Sequence, residues 1–134
     1  MFTENYRVLF EQYADRHYIK DFQKNHKSNW DKTRKAIVAQ LANIDLLFKA
    51  GRIPPPIHQS QDRTKEIYKH SFAVAGRKES PKSSGNRVIL FVDHNLKTVR
   101  ILIVYSKNHI GPPNETAKWQ QIVKDQYIDI FSNF

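Results

Sequence analysis

The clearest pattern of apolar and polar positions lies in the first half of the chain. Trp30, Arg34, Ile37, Leu41, Ile44 and Phe48 recur every three or four residues, with Ala36, Leu47 and Ala50 beside them. Residues so spaced share one helix face, so the pattern predicts an amphipathic helix of about five turns. Only Arg34 breaks the stripe, near its wetter start. Ser28-Asn29-Trp30-Asp31 has the form of a capping box. Gly51 supplies a stop, and Pro54, Pro55 and Pro56 forbid continuation because proline lacks the amide hydrogen a helix needs. Before it, Asp15 is placed to cap a shorter helix reaching about Lys27, with Tyr18, Ile19 and Phe22 as its apolar side. The two helices are close enough in sequence for an antiparallel hairpin.

The period changes elsewhere. Tyr6, Val8 and Phe10 alternate as in a short strand, and 67–75 reads as another, with Tyr68, Phe72 and Val74 its larger apolar members. Segments 88–92 and 99–105 are nearly continuous apolar runs, as expected of strands buried on both faces. Asp93-His94-Asn95-Leu96-Lys97 joins them as a hairpin turn, which leaves His94 solvated. The 52–65 segment is a long polar connection, of the kind that is functional or mobile. After Gly111-Pro112-Pro113, Asn114 is placed to cap a last helix with Trp119, Ile122, Val123 and Tyr127 on its apolar side. Trp30 and Trp119 both read as core. The order is β-α-α-β-β-β-α. Consecutive strands with short turns favour an antiparallel sheet, and the N-terminal helical hairpin must bury its stripe on it: an α+β fold within one domain of residues 1–134.

Composition sharpens this picture in two places. The chain has 134 residues, 40% hydrophobic, enough for a single core. It has no cysteine, which excludes disulfides and thiolate metal sites. No His/Asp/Glu set has zinc-ligand spacing, and no phosphate-binding P-loop, dinucleotide fingerprint or nucleophile elbow occurs, so no cofactor is expected. The first seventeen residues lack the apolar run of a secretory leader, and no run approaches transmembrane length. A soluble, cytoplasmic protein without a membrane partner is expected.

The net charge is +9, and it is unevenly placed. Residues 1–62 hold ten Lys/Arg against seven Asp/Glu, residues 63–107 ten against three, and residues 108–134 two against three. The excess lies on the β-rich middle and points to a polyanion, above all nucleic acid. Its densest part is the loop 76–87, where Arg77, Lys78, Lys82 and Arg87 face only Glu79, among serines and two glycines. Flexible backbone and cations feeding a central strand suit a phosphate-bearing ligand.

Here the residues match a known family. Lys82-Ser83-Ser84-Gly85-Asn86-Arg87-Val88-Ile89 is similar to the KSGGxRVI stretch of the HigB-like branch of the RelE/ParE superfamily, toxins of type II toxin–antitoxin systems. Tyr105-Ser106-Lys107-Asn108, followed by Asn114-Glu115 opening a helix, resembles that branch's YxK segment and C-terminal helix. The element order matches from about Tyr6 onward. Residue detail matches over 82–118, with Ser84 at the family's second glycine.

The resemblance implies a metal-independent endoribonuclease that cuts mRNA on the ribosome and is held inactive by a cognate antitoxin. Two other readings remain: a ParE-like toxin that binds DNA gyrase and cuts nothing, and a catalytically inactive RNA-binding module. Metal-free cleavage uses the substrate's 2′-hydroxyl as nucleophile, so the protein must accept its proton, stabilise the phosphorane and protonate the leaving 5′-oxygen. The candidate catalytic residues are Arg87, whose planar fork can hold two phosphate oxygens; Lys107, as phosphorane stabiliser, acid or base; Tyr105, to stack on a base or donate a proton; and Lys69, which resembles the family's strand lysine. Tyr105 reads equally well as a core tyrosine with its hydroxyl at the rim. Arg77, Lys78 and Lys82 are expected to tether phosphates, with Ser84 and His109 beside them in RNA binding. His70 should point away from Lys69, to the opposite face.

Overall fold

The computed structural model describes residues 5–134; residues 1–4, where the segment read for a leader begins, lie outside them. Strand β1 (Arg7–Phe10) leads into four helices: α1 (Gln12–Arg16), α2 (Ile19–His26), α3 (Ser28–Ala42) and α4 (Ile44–Lys49). Short β2 (His58–Gln59) and β3 (Lys65–Ser71) follow, then a helical turn α5 (Pro81–Ser84). Central strands β4 (Arg87–Asp93) and β5 (Thr98–Tyr105) precede α6 (Glu115–Gln126) and α7 (Ile128–Phe131). The fold is α+β, with one five-stranded sheet in the order β1-β5-β4-β3-β2.

The expected antiparallel sheet is in fact mixed. The β3–β4–β5 meander is antiparallel, but β1 pairs in parallel with β5. A parallel pair needs a long crossover, and the helices and strands between β1 and β5 provide one. Both faces of the sheet are covered. Trp30, Ile37, Leu41 and Ile44 of the helical stripe pack with Val88, Leu90 and Val92 on one face. Trp119, Val123 and Tyr127 of α6 and the turn after it pack with Ile89, Phe91 and Ile103 on the other. Two covered faces leave Arg100 as the one charged residue within the runs 88–92 and 99–105, which is why both read as nearly continuous apolar segments.

Local departures have identifiable causes. The long helix is two: Asn43, at φ −110° and ψ 42°, bonds its side-chain amide back to the Ala39 carbonyl, and the stripe resumes at Ile44. Arg34 sits in the stripe because it pairs with Asp15 at 2.8 Å and lies over the Phe10 ring. Asp15 is therefore a partner of Arg34 inside α1 and does not cap α2. No side-chain cap bond forms at α3, where Lys27 occupies the cap position at φ 46° and Ser28 is already helical. Asn114 adopts a left-handed φ of 63°, a conformation asparagine tolerates, and its side chain likewise does not cap α6. The 52–65 connection is ordered: it contains β2, buries Ile53, and is folded about Asp62, which accepts from the Ser60 and Thr64 hydroxyls and the Thr64 amide. Those bonds lower the Asp62 pKa to about 2. His94 is not simply solvated. Its Nδ1 meets the Tyr6 hydroxyl at 2.7 Å and its Nε2 meets the buried Glu66 carboxylate.

One irregularity decides the site. A bulge between Ile89 and Leu90 shifts the register from Ile89↔Ile103 to Leu90↔Ile101, leaving Leu102 as the extra residue on β5. Leu102 and Ile103 therefore both turn to the α6 side. Beyond the bulge, Tyr105 shares that side with Arg87, its cross-strand partner, and with Lys69.

Candidate active site

The basic loop is not an open flexible segment. Ser80 caps a single helical turn, its side-chain oxygen accepting from the Ser83 amide at 3.2 Å, and Pro81 takes the first helical position, where no amide hydrogen is needed. The Ser84 hydroxyl donates to the Phe72 carbonyl at 2.7 Å and accepts from the Asn86 amide at 3.0 Å, tying the turn to the end of β3. Gly85 then reverses the chain at φ 78°, a left-handed conformation that glycine adopts without strain. Arg87 reaches back over the turn. Its guanidinium donates to the carbonyls of Asn86 at 2.8 Å, Lys82 at 3.1 Å and Pro81 at 3.3 Å. A fork that grips three carbonyls fixes the turn, while its charge stays at the mouth of the sheet.

On the same face, Tyr105 is fully buried and its hydroxyl donates to Glu115 Oε2 at 2.7 Å. Lys69 Nζ lies 3.7 Å from that same oxygen. Burial first, and the bond to Glu115 second, push the Tyr105 hydroxyl far above the usual tyrosine range, against a smaller opposing pull from Arg87. At neutral pH this tyrosine keeps its proton. Lys69, Glu115 and Tyr105 form a chain that fixes the lysine beside the start of β4.

Lys107 lies elsewhere at this end of the sheet. It is exposed, its stem crosses Gly85, and a Cβ on Gly85 would come within 3.0 Å of Lys107 Cδ. It borders a polar cleft of about 400 Å³ lined also by Asn25, His26, Arg77 and Asn86. His26 was not foreseen as a site residue. It is held below its ordinary pKa by burial first and by Arg77 second, with Glu79 opposing, so it enters neutral pH as a free imidazole able to accept a proton. His109 borders the cleft but its nitrogens are engaged. Nδ1 accepts from the Ser106 amide at 3.0 Å, and Nε2–H donates to Asp21 at 2.8 Å; this tautomer follows from the amide donor. Its ring stacks on Tyr18 at 4.6 Å.

The structure thus divides the candidate residues into two groups. Lys69, Arg87 and Tyr105 share the α6 face with Glu115, while Lys107, Arg77 and His109 border the cleft with His26. Ser84 spends its hydroxyl on the turn. Arg77 lies 4.0 Å from Glu79, Lys78 is exposed, and Lys82 lines a separate cavity toward α3. Asn25 and His26 escaped the sequence reading because no local signal links α2 to residue 107; only packing does. Among the described residues, no group of three or more His, Asp or Glu side chains could hold a metal ion, and no helix is long and apolar enough to cross a membrane.

No protein-family model matches the chain, and no curated protein matches it. Among solved structures, it is similar to the E. coli toxin RelE, a double-arginine variant in the free state, at 18% identity over 78% of this chain and 86% of that one, with a TM-score of 0.41.

Proposed function

We propose that this chain is the toxin of a toxin–antitoxin pair and cuts RNA without a metal ion, acting on mRNA in the ribosome. The observation that carries the reading is the cleft that joins a lysine, an arginine and a neutral histidine beside a turn braced by Arg87. His26 takes the proton from the 2′-hydroxyl. The 2′-oxygen attacks phosphorus, the Lys107 ammonium stabilises the phosphorane, and Lys107 supplies the proton that the departing 5′-oxygen needs, leaving a cyclic 2′,3′-phosphate. Arg77 tethers a neighbouring phosphate. Lys69 and Arg87 extend the positive field across the mouth of the sheet, with Tyr105 positioning Glu115 and, through it, Lys69. The similarity of 82–89 and of 105–108 to the HigB-like branch supports the same reading, as does the cationic excess on residues 63–107. An acidic antitoxin segment would suit that excess and mask the cleft.

The test is incubation of the purified protein with mRNA, with and without ribosomes and with chelator present, followed by primer-extension mapping of new 5′ ends. New ends in chelator that fall at least a hundredfold in His26→Ala and in Lys107→Ala support the reading. Undiminished cutting by both variants removes the assigned roles. The three carbonyl bonds of Arg87 and the sealed Tyr105 hydroxyl favour a second reading, an RNA-binding module without activity. Salt-sensitive RNA binding with no new ends would select it. A ParE-like reading would instead require inhibition of gyrase supercoiling.

A further inference from the structure

A second cavity, of about 700 Å³, lies between α3 and the β3 side of the sheet, away from the RNA cleft. Its walls are largely apolar, with Ile37, Leu47 and Phe72 among them. Its volume falls within the range of small-molecule sites, which combine apolar walls with a few placed polar groups. Two features of its lining are unexplained by the fold. His70 lines it and is only 7% exposed; Nδ1 is sealed from solvent with no partner, while Nε2 is not among the sealed atoms and is the ring nitrogen that a group in the cavity reaches. Buried polar atoms are normally paired, so an unpaired ring in a cavity marks a place where a ligand's polar group fits. Arg52 and Lys82 also line the cavity; both are exposed, which puts them at its mouth, and neither is in an ion pair among the described residues.

We infer that this cavity binds a small amphipathic carboxylate, its anionic head on Arg52 and Lys82, its apolar body between Ile37 and Phe72, and a hydroxyl or carbonyl on that body paired with His70. Burial holds the His70 pKa below its ordinary value, so the ring is neutral and offers a hydrogen bond without a charge to desolvate. Two cations with no acidic partner favour an anion over a neutral ligand. A peptide side chain could fill the apolar walls, but nothing in the lining calls for a backbone beyond it. The walls include Pro81 and Lys82, whose carbonyls hold Arg87, so ligand and RNA site share the α5 turn. The inference stands whether or not the chain cuts RNA.

The test uses the full chain, with the ring signals of His70 followed by NMR while ω-hydroxyoctanoate, octanoate or octane diol is added. The hydroxy acid should shift those signals at submillimolar concentration. Octanoate, without the hydroxyl, and the diol, without the charge, should each bind about tenfold more weakly. Ala36 lines the cavity from an exposed position on α3, so Ala36→Trp should fill it and remove binding while leaving the circular dichroism spectrum unchanged. Arg52→Ala should weaken the hydroxy acid and leave the diol unaffected. The proposal is overturned if none of the three probes shifts His70 at millimolar concentration, if Ala36→Trp folds normally and still binds, or if acid and diol bind alike.

Discussion

Replacing Tyr105 with Phe removes one oxygen and tests whether that oxygen serves the fold or the chemistry. The ring is fully buried, so Phe fills the same space. What is lost is a 2.7 Å bond to a carboxylate. Bonds to charged groups contribute about 1.5–3 kcal/mol. The Glu115 side chain is 27% exposed, so water restores part of the loss, and Lys69 at 3.7 Å remains to compensate its charge. The lower end, about 1.5 kcal/mol, is therefore expected, which lowers Tm by about 5–7 °C for a chain of this length. Urea melts of the wild type, Tyr105→Phe, Glu115→Gln and the double variant give the coupling. The pair should couple by about 1 kcal/mol, because Tyr105→Phe removes the donor, whereas Glu115→Gln keeps an acceptor oxygen and loses only the charge that strengthens the bond. RNA cutting by Tyr105→Phe should fall less than tenfold once the protein is folded. A variant as stable as the wild type but unable to cut RNA would refute the positioning role and make the hydroxyl part of the chemistry.

Gly85→Ala should destabilise by about 1–2 kcal/mol, because φ of 78° is unfavourable for any residue with a Cβ; it should also displace Lys107, whose Cδ lies 3.0 Å from the new atom, and the two effects are read by urea melts and by RNA cutting at saturating stability. Stability should fall as pH drops below the ordinary 6.5 of histidine. His70 and His26 have depressed folded-state values, so below 6.5 the unfolded chain binds more protons than the native one, and the loss continues as pH falls through those values. Burial alone depresses His70, so His70→Leu should flatten the profile measured by melts between pH 5 and 7, a range of about two units around that transition. In RNA-binding titrations over potassium chloride, Arg77→Ala with Lys78→Ala should flatten the log–log slope by about 1 to 2 units, whereas Lys82→Ala alone should leave it nearly unchanged. A large effect of Lys82 would place RNA over both cavities.

The fold was legible where the periodicity was local. The Trp30-to-Phe48 stripe, the β3–β4–β5 meander and the apolar side of α6 follow from spacing alone, because each pattern repeats within one element. What could not be read was how elements end and meet. Ser28 looks like a cap, but the turn at Lys27 starts the helix one residue early. The parallel β1–β5 pair is invisible because no short-range signal joins residues so far apart. The bulge is hidden in a run of apolar residues: beyond Arg100, the stretch 101–104 has no polar position to report which face each side chain takes.

That hidden bulge explains why the site was only half legible. Strict alternation along β5 from Val99, which faces the α3 side, would put Ile101, Ile103 and Tyr105 on that side too, apart from Arg87 and Lys69. The extra residue at Leu102 turns Ile103 and Tyr105 over to α6, where Glu115 meets the tyrosine. Arg87 starts β4 and Lys107 follows the end of its neighbour β5, so both lie at one end of the sheet. But β5 ends at Tyr105 and the chain from there to Ile110 leaves strand geometry, so strand alternation, which would put residues two apart on one face, does not place Lys107 beside Tyr105. It crosses Gly85 and opens onto the cleft with α2. His26 enters there by packing of α2 on the sheet end, and His109 is withdrawn from chemistry by the same helix through Asp21. Of two histidines beside one lysine, the structure therefore leaves His26 with a depressed proton affinity in an open cleft and gives His109 a hydrogen-bonding role that the fold itself uses.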